Sequence, residues 1–155
     1  MRKLFFLTLL FPLCFNAQLK LSNIYDLYIM EPFYVEDYLA NGLGFKKIKY
    51  ERTESSNDFE YYNGKNNFNE AIYVKVMSPL IDNYKNIVIV RSANENYIQE
   101  LKSDSITSGY EYVGKKELKN EYFIHMYVKD NIIISISAQK NTSGFYEVNM
   151  LSKIK

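Results

Sequence analysis

His125 is the only histidine in the chain and the only side chain whose ordinary charge change falls near neutral pH. A nucleophilic triad needs it as base, beside a serine and an orienting carboxylate. No serine occupies a Gly-x-Ser-x-Gly elbow, and Ser135 and Ser137 alternate with isoleucines as the polar face of a strand. His125 alternates onto the face of Phe123 and Tyr127, which reads as a partly exposed strand position. Two convergent carboxylates can hydrolyse a glycosidic bond. The candidate pairs are Glu36/Asp37, Asp58/Glu60 and Glu117/Glu121. Asp58 and Glu60 share a strand face, in a loop-like, lysine-bearing region without apolar neighbours to form a pocket. One histidine and no spaced Asp/Asn/Gly loop leave zinc and calcium without a ligand set. No glycine-rich phosphate cradle is present. The chain therefore offers no catalytic residues, no cofactor-binding motif and no metal site.

Aromatic residues are the remaining chemical resource. The chain holds 15 tyrosines and 10 phenylalanines. Tyr61, Tyr73, Tyr112 and Tyr127 fall on predicted strands, where exposed rings can form a recognition surface by stacking and hydrogen bonding. The competing reading puts their rings in the core and their hydroxyls at the surface. An AT-rich coding sequence would also enrich Tyr, Asn, Lys, Ile and Phe together.

The elements that must position these residues form two similar series. Ser22 caps a helix through about Met30, and Pro32 suits the first turn of a second helix. Val35, Tyr38 and Leu39 share a helical face, as do Tyr97, Ile98 and Leu101 in a helix from about Asn94 to Ser103. Each series then passes a glycine-aromatic pair, Gly44-Phe45 or Gly109-Tyr110, where glycine suits a left-handed helix end. Four strands follow each pair. They are expected over 45–53, 59–63, 71–77 and 86–91, then over 110–118, 121–129, 132–138 and 145–151. Alternation supports several, such as Ile72, Val74 and Val76 opposite Tyr73, Lys75 and Met77. Asp130-Asn131 suits a tight hairpin, and the polar stretch 53–70 reads as a long excursion. The expected fold is α+β. Two helix-then-four-strand repeats, about 22–91 and 92–155, would form one curved antiparallel sheet with helices on one face.

The N-terminus reads as an address. Arg2 and Lys3 precede an apolar run from Leu4 to Phe15, and Ala17 precedes Gln18. That order is a secretory signal peptide over 1–17, with a single domain over 18–155. The run is too short to span a bilayer as a helix, and no apolar span follows it. Phe15 stands where a small residue is usual, so the cut can move by a residue or two. Cys14, the only cysteine, leaves with the signal, and no disulfide or thiolate chemistry remains. Lipidation of Cys14 is the alternative, although Leu13 is larger than the residue such processing wants. From 19 basic residues, loss of Arg2 and Lys3 leaves 17 against 18 acidic, a net charge of −1. Such a balance supplies no field to gather nucleic acid.

The chain resembles small uncharacterised secreted proteins of Bacteroidetes, of flavobacterial type. The resemblance rests on Phe15-Asn16-Ala17-Gln18, on Val35-Glu36-Asp37-Tyr38-Leu39 leading to Gly44-Phe45, on Tyr97–Leu101 leading to Gly109-Tyr110, and on Tyr127-Val128-Lys129-Asp130. It implies export and an α+β repeat, and it implies no activity. The layout is also similar to tandem helix-plus-sheet inhibitors of secreted enzymes. The expectation is an exported, periplasmic or extracellular, non-enzymatic recognition domain. Its partner would be an envelope protein, a peptide or a glycan, with no nucleic acid and no membrane span after signal removal. The alternatives are a carboxylate-dependent hydrolase of envelope polymers and a purely structural envelope component.

Overall fold

A computed structural model describes residues 18–81, 84–118 and 121–153. The signal segment 1–17, with Cys14, lies outside the described residues. Helix α1 (Leu21–Ile29) buries Leu21, Ile24, Leu27 and Tyr28, a stripe at three- and four-residue spacing. Ser22 lies inside this helix. The helix begins two residues earlier, where the Asn23 side chain accepts a bond from the Lys20 N–H at 3.0 Å. Helix α2 (Pro32–Asp37) starts at its proline and runs into a π-helical turn, Tyr38–Gly42. Helix α3 (Glu95–Thr107) is capped by Asn94, whose side chain accepts from Tyr97 N–H at 3.2 Å. It extends about one turn beyond the expected Ser103. Gly44 (φ 71°) and Gly109 (φ 83°) are left-handed, as their places after a helix suggest. Phe45 N–H then bonds back to Leu39, and Tyr110 N–H to Ser105.

The strands are β1 (Lys46–Arg52), β2 (Ser56–Tyr62), β3 (Ile72–Pro79), β4 (Ile87–Ser92), β5 (Glu111–Glu117), β6 (Phe123–Lys129), β7 (Ile132–Ser137) and β8 (Tyr146–Ser152). All eight join one open antiparallel sheet, ordered β1-β2-β3-β4-β8-β7-β6-β5. The fold is α+β. The long excursion expected over 53–70 divides in two. Thr53 Oγ1 accepts from Ser55 and Ser56 N–H, closing a tight turn that lets Ser56, Asn57 and Asp58 enter β2. Only 63–71 remains a loop.

One face of the sheet is covered. Phe59, Tyr61, Val74, Val76, Val88, Val90, Ile134, Ile136, Val148 and Met150 line it and pack with the helices into one core. Leu39 and Leu101 are both buried. Asn86 ties α1 to the sheet, its side-chain amide donating to Leu27 and Met30 carbonyls at 2.6 and 2.8 Å. Among the described residues, no helix is long and apolar enough to cross a membrane.

Candidate functional site

Strand alternation sends the other set of side chains to the second face, which no described helix covers. Cross-strand pairing places Tyr62, Tyr73, Arg91 and Glu147 in one row and Glu60, Lys75, Ile89 and Asn149 in the next. A groove of about 540 Å³ runs over these rows. Its floor holds Tyr73, Lys75, Ile89 and Arg91, and its wall holds Asn141, Ser143 and Phe145 from the loop between β7 and β8. That loop is closed by its own hydrogen bonds. Asn141 accepts from the N–H groups of Ser143 and Phe145 at 3.0 and 3.1 Å. Phe145 meets Phe68 of the 63–71 loop at 4.7 Å between ring centroids, and Tyr73 edge-on at 5.4 Å. Tyr62 stacks on Tyr73 at 6.1 Å. The two loops and the strand aromatics thus form one continuous aromatic rim.

The charges in the groove satisfy one another. Lys75 Nζ lies 2.8 Å from Asp58 and 3.3 Å from Glu60. Asp58 also accepts from the Ser56 hydroxyl at 2.6 Å. Burial acts to raise the Asp58 carboxyl, but the hydrogen bonds from Lys75 and Ser56 outweigh it and hold the group below its ordinary value. Arg91 Nε pairs with Glu147 at 2.9 Å. A carboxyl held ionised is unsuited to act as a general acid. Among the described residues, no group of three or more His, Cys, Asp or Glu side chains could hold a metal ion.

The four tyrosines singled out by sequence do not gather on one face. Tyr73 alone lies on the open face. Tyr61 is on the covered face, fully buried, and its hydroxyl has no hydrogen-bond partner. Tyr127 is buried on that same face, and Tyr112 stands beside it on edge strand β5, 52 % exposed, with ring centroids 5.3 Å apart. Period-two alternation fixes each residue's face only relative to its own strand. Which face the helices take depends on tertiary packing. Phe68 and Phe145, which build the rim, sit in polar loops and carry no periodic signal. The pairing of Asp58 with Lys75 required the register of β2 on β3.

His125 also lies on the covered face, with Nδ1 3.2 Å from the Tyr112 hydroxyl. Burial first, then the charges of Lys102 and Lys115, hold it below its ordinary value. No serine hydroxyl is bonded to it among the described hydrogen bonds. The chain matches no protein-family model, no curated protein and no solved structure.

Proposed function

We propose that the protein is an exported, non-enzymatic recognition domain that holds a partner on the open face of its sheet. The observation that carries this reading is the walled groove of about 540 Å³ over Tyr73, Lys75, Ile89 and Arg91. The surface mixes aromatic rings, one aliphatic side chain and paired charges, the composition of an interface centre rather than of a reactive pocket. An envelope protein, a peptide or a glycan can stack on Tyr73 and Phe145 and exchange hydrogen bonds with Arg91 and Asn141. Of the carboxylates in the competing hydrolase reading, Asp58 and Glu60 are both paired to Lys75, and Glu36 is paired to Lys47. Capture from the producing cell's own envelope fraction, read by mass spectrometry, tests the assignment. The proposal expects a partner retained by the wild type and lost from an Arg91→Glu, Tyr73→Ala double variant. Equal retention by both would refute it.

Export is part of the same proposal. It is supported by the chain directly after the proposed cut. Leu19 is fully buried, its carbonyl accepts from the Tyr97 hydroxyl at 2.6 Å, and Gln18 bonds Glu100 at 2.6 Å. A cut before Gln18 leaves this anchor whole.

We also propose that the two halves are a structural duplication. Support comes from register. Each edge strand carries a bulge at the residue four positions after its glycine, Ile48 after Gly44 and Val113 after Gly109. The pairs Lys47–Tyr61 and Tyr112–Tyr127 then correspond, as do Tyr50–Phe59 and Lys115–His125. Val74 and Val90 correspond to Ile134 and Met150. Superposing residues 33–91 on 95–151 in an experimental structure tests this. The correspondence fails if the strands do not overlay in this order.

A further inference from the structure

The side chains that line the open-face groove sort into aromatic rings and paired polar groups. Tyr73 and Phe145 stand at 74° to one another with ring centroids 5.4 Å apart, so the two rings bound a corner. Tyr62 lies nearly parallel to Tyr73, at 20°, and extends the aromatic surface along the row. Every charged side chain lining the groove is paired. Lys75 serves Asp58 and Glu60, and Arg91 serves Glu147. On the neighbouring edge strand Lys49 and Glu51 pair at 2.6 Å. An anion brought to Arg91 meets Glu147, and a cation brought to Glu60 meets Lys75, so neither sign of charge is selected. Hydrogen-bonding capacity remains. Among the described hydrogen bonds Arg91 uses only Nε, which leaves both terminal amino groups to donate. The Asn141 side-chain oxygen takes two loop N–H groups, whereas its amide nitrogen is free among those bonds, as is the exposed Ser143 hydroxyl. Glu60 meets Lys75 through one oxygen and keeps the other to accept.

We propose that this groove binds a neutral glycan, a chain of uncharged pyranose rings. The inference deepens the recognition reading above and rests on it. A pyranose ring has apolar C–H faces and a belt of hydroxyls, each able to donate and to accept. Its faces suit the Tyr73–Phe145 corner, because the face of an aromatic ring is electron-rich and attracts C–H groups. Its hydroxyls need donors beside acceptors, which Arg91, Asn141, Ser143 and Glu60 supply within one groove. A volume of about 540 Å³ lies within the roughly 300–1,000 Å³ of small-ligand sites. An extended peptide fits less well. The strands beneath, β2, β3, β4 and β8, each have a partner on both sides, so no backbone edge is open to an added strand. The Val74 side chain is buried in the core, which leaves Ile48 and Ile89 as the aliphatic lining. Two such side chains make no enclosed pocket for the anchor residue on which peptide recognition depends.

The probe is an array of neutral hexasaccharides of glucose, mannose, galactose or N-acetylglucosamine, with hexagalacturonate as the charged control, read with isotope-labelled chain from Gln18 onward. Expected is saturable binding of a neutral hexamer, with NMR shifts at Tyr73, Arg91, Asn141 and Phe145. Its Kd should hold within about twofold between about 0.1 and 1 M salt. Tyr73→Ala should weaken binding about tenfold, while Tyr73→Phe, which keeps the ring, should stay within about twofold. Arg91→Lys keeps the charge beside Glu147, loses the planar fork and should weaken binding about fivefold. No neutral hexamer bound, tighter binding of hexagalacturonate, or shifts confined to the helix side would overturn the proposal. The envelope fraction separates this inference from the reading beneath it. Capture that survives proteinase digestion of the fraction and is lost after periodate cleavage of its vicinal diols supports the glycan. Capture lost to proteinase and kept after periodate overturns the glycan and leaves recognition by the open face standing. Hexamer binding at Tyr73 with no capture from the fraction would sink the envelope partner and leave the glycan site standing.

Discussion

Tyr61→Phe should make the protein more stable. Tyr61 has no exposed surface, and its hydroxyl has no partner. Burial pushes that hydroxyl up to about 12, so it stays protonated at neutral pH. Holding an unbonded hydroxyl in a core costs about 1–3 kcal/mol. Phenylalanine keeps the ring and its packing, and the missing oxygen loses a few contacts worth about 0.1–0.2 kcal/mol each. The balance is about 1–2 kcal/mol of added stability. For a domain of this size that raises Tm by about 3–7 °C. Urea unfolding and differential scanning calorimetry measure both, and the m-value should not change, because the surface exposed on unfolding is the same. Tyr127→Phe is the control. Tyr127 pairs with Tyr112 as Tyr61 pairs with Lys47, yet it keeps 5 % of its surface exposed. Its change should lie within about 0.5 kcal/mol. If Tyr61→Phe destabilises by about 1 kcal/mol or more, the hydroxyl is bonded and the reasoning is wrong.

Leu39→Ala and Leu101→Ala each remove a fully buried side chain at the helix–sheet contact and should cost about 2–5 kcal/mol, read by urea unfolding. Asp58 is lowered on folding from 3.8, so the stability it contributes is complete above that value. It is lost as the pH falls through the lower folded value. In acid titrations of stability, Lys75→Met should lessen this loss, and an unchanged slope would contradict the pairing. Intact-mass measurement of protein from its own host should give a start at Gln18 without added lipid. An acylated Cys14 would contradict the soluble location and the cysteine-free mature chain.

Much of the architecture was legible because its signals are local. Ile72, Val74 and Val76 alternate, Pro32 opens a helix, and Gly44 and Gly109 close helical segments. Boundaries failed where side chains build turns. Thr53 closes a hairpin through its own hydroxyl, an interaction with no periodicity to read. The groove was not legible for a related reason. Tyr73, Arg91, Phe68 and Phe145 come from four separate segments, brought together by sheet order and by a loop that Asn141 holds. Sequence marked Tyr73 but ranked it with Tyr61, which alternation sends to the opposite face.

Site-specific photo-crosslinking tests the central claim most directly. A photoreactive phenylalanine replaces Tyr73 in the groove in one variant and Phe33 on the helix side, 68 % exposed, in another. Both are irradiated in the protein's own envelope fraction. The account predicts one discrete adduct from position 73, abolished by Arg91→Glu and by excess unlabelled protein, and none from position 33. Equal labelling at both positions, or an adduct only from position 33, would contradict recognition through the open face.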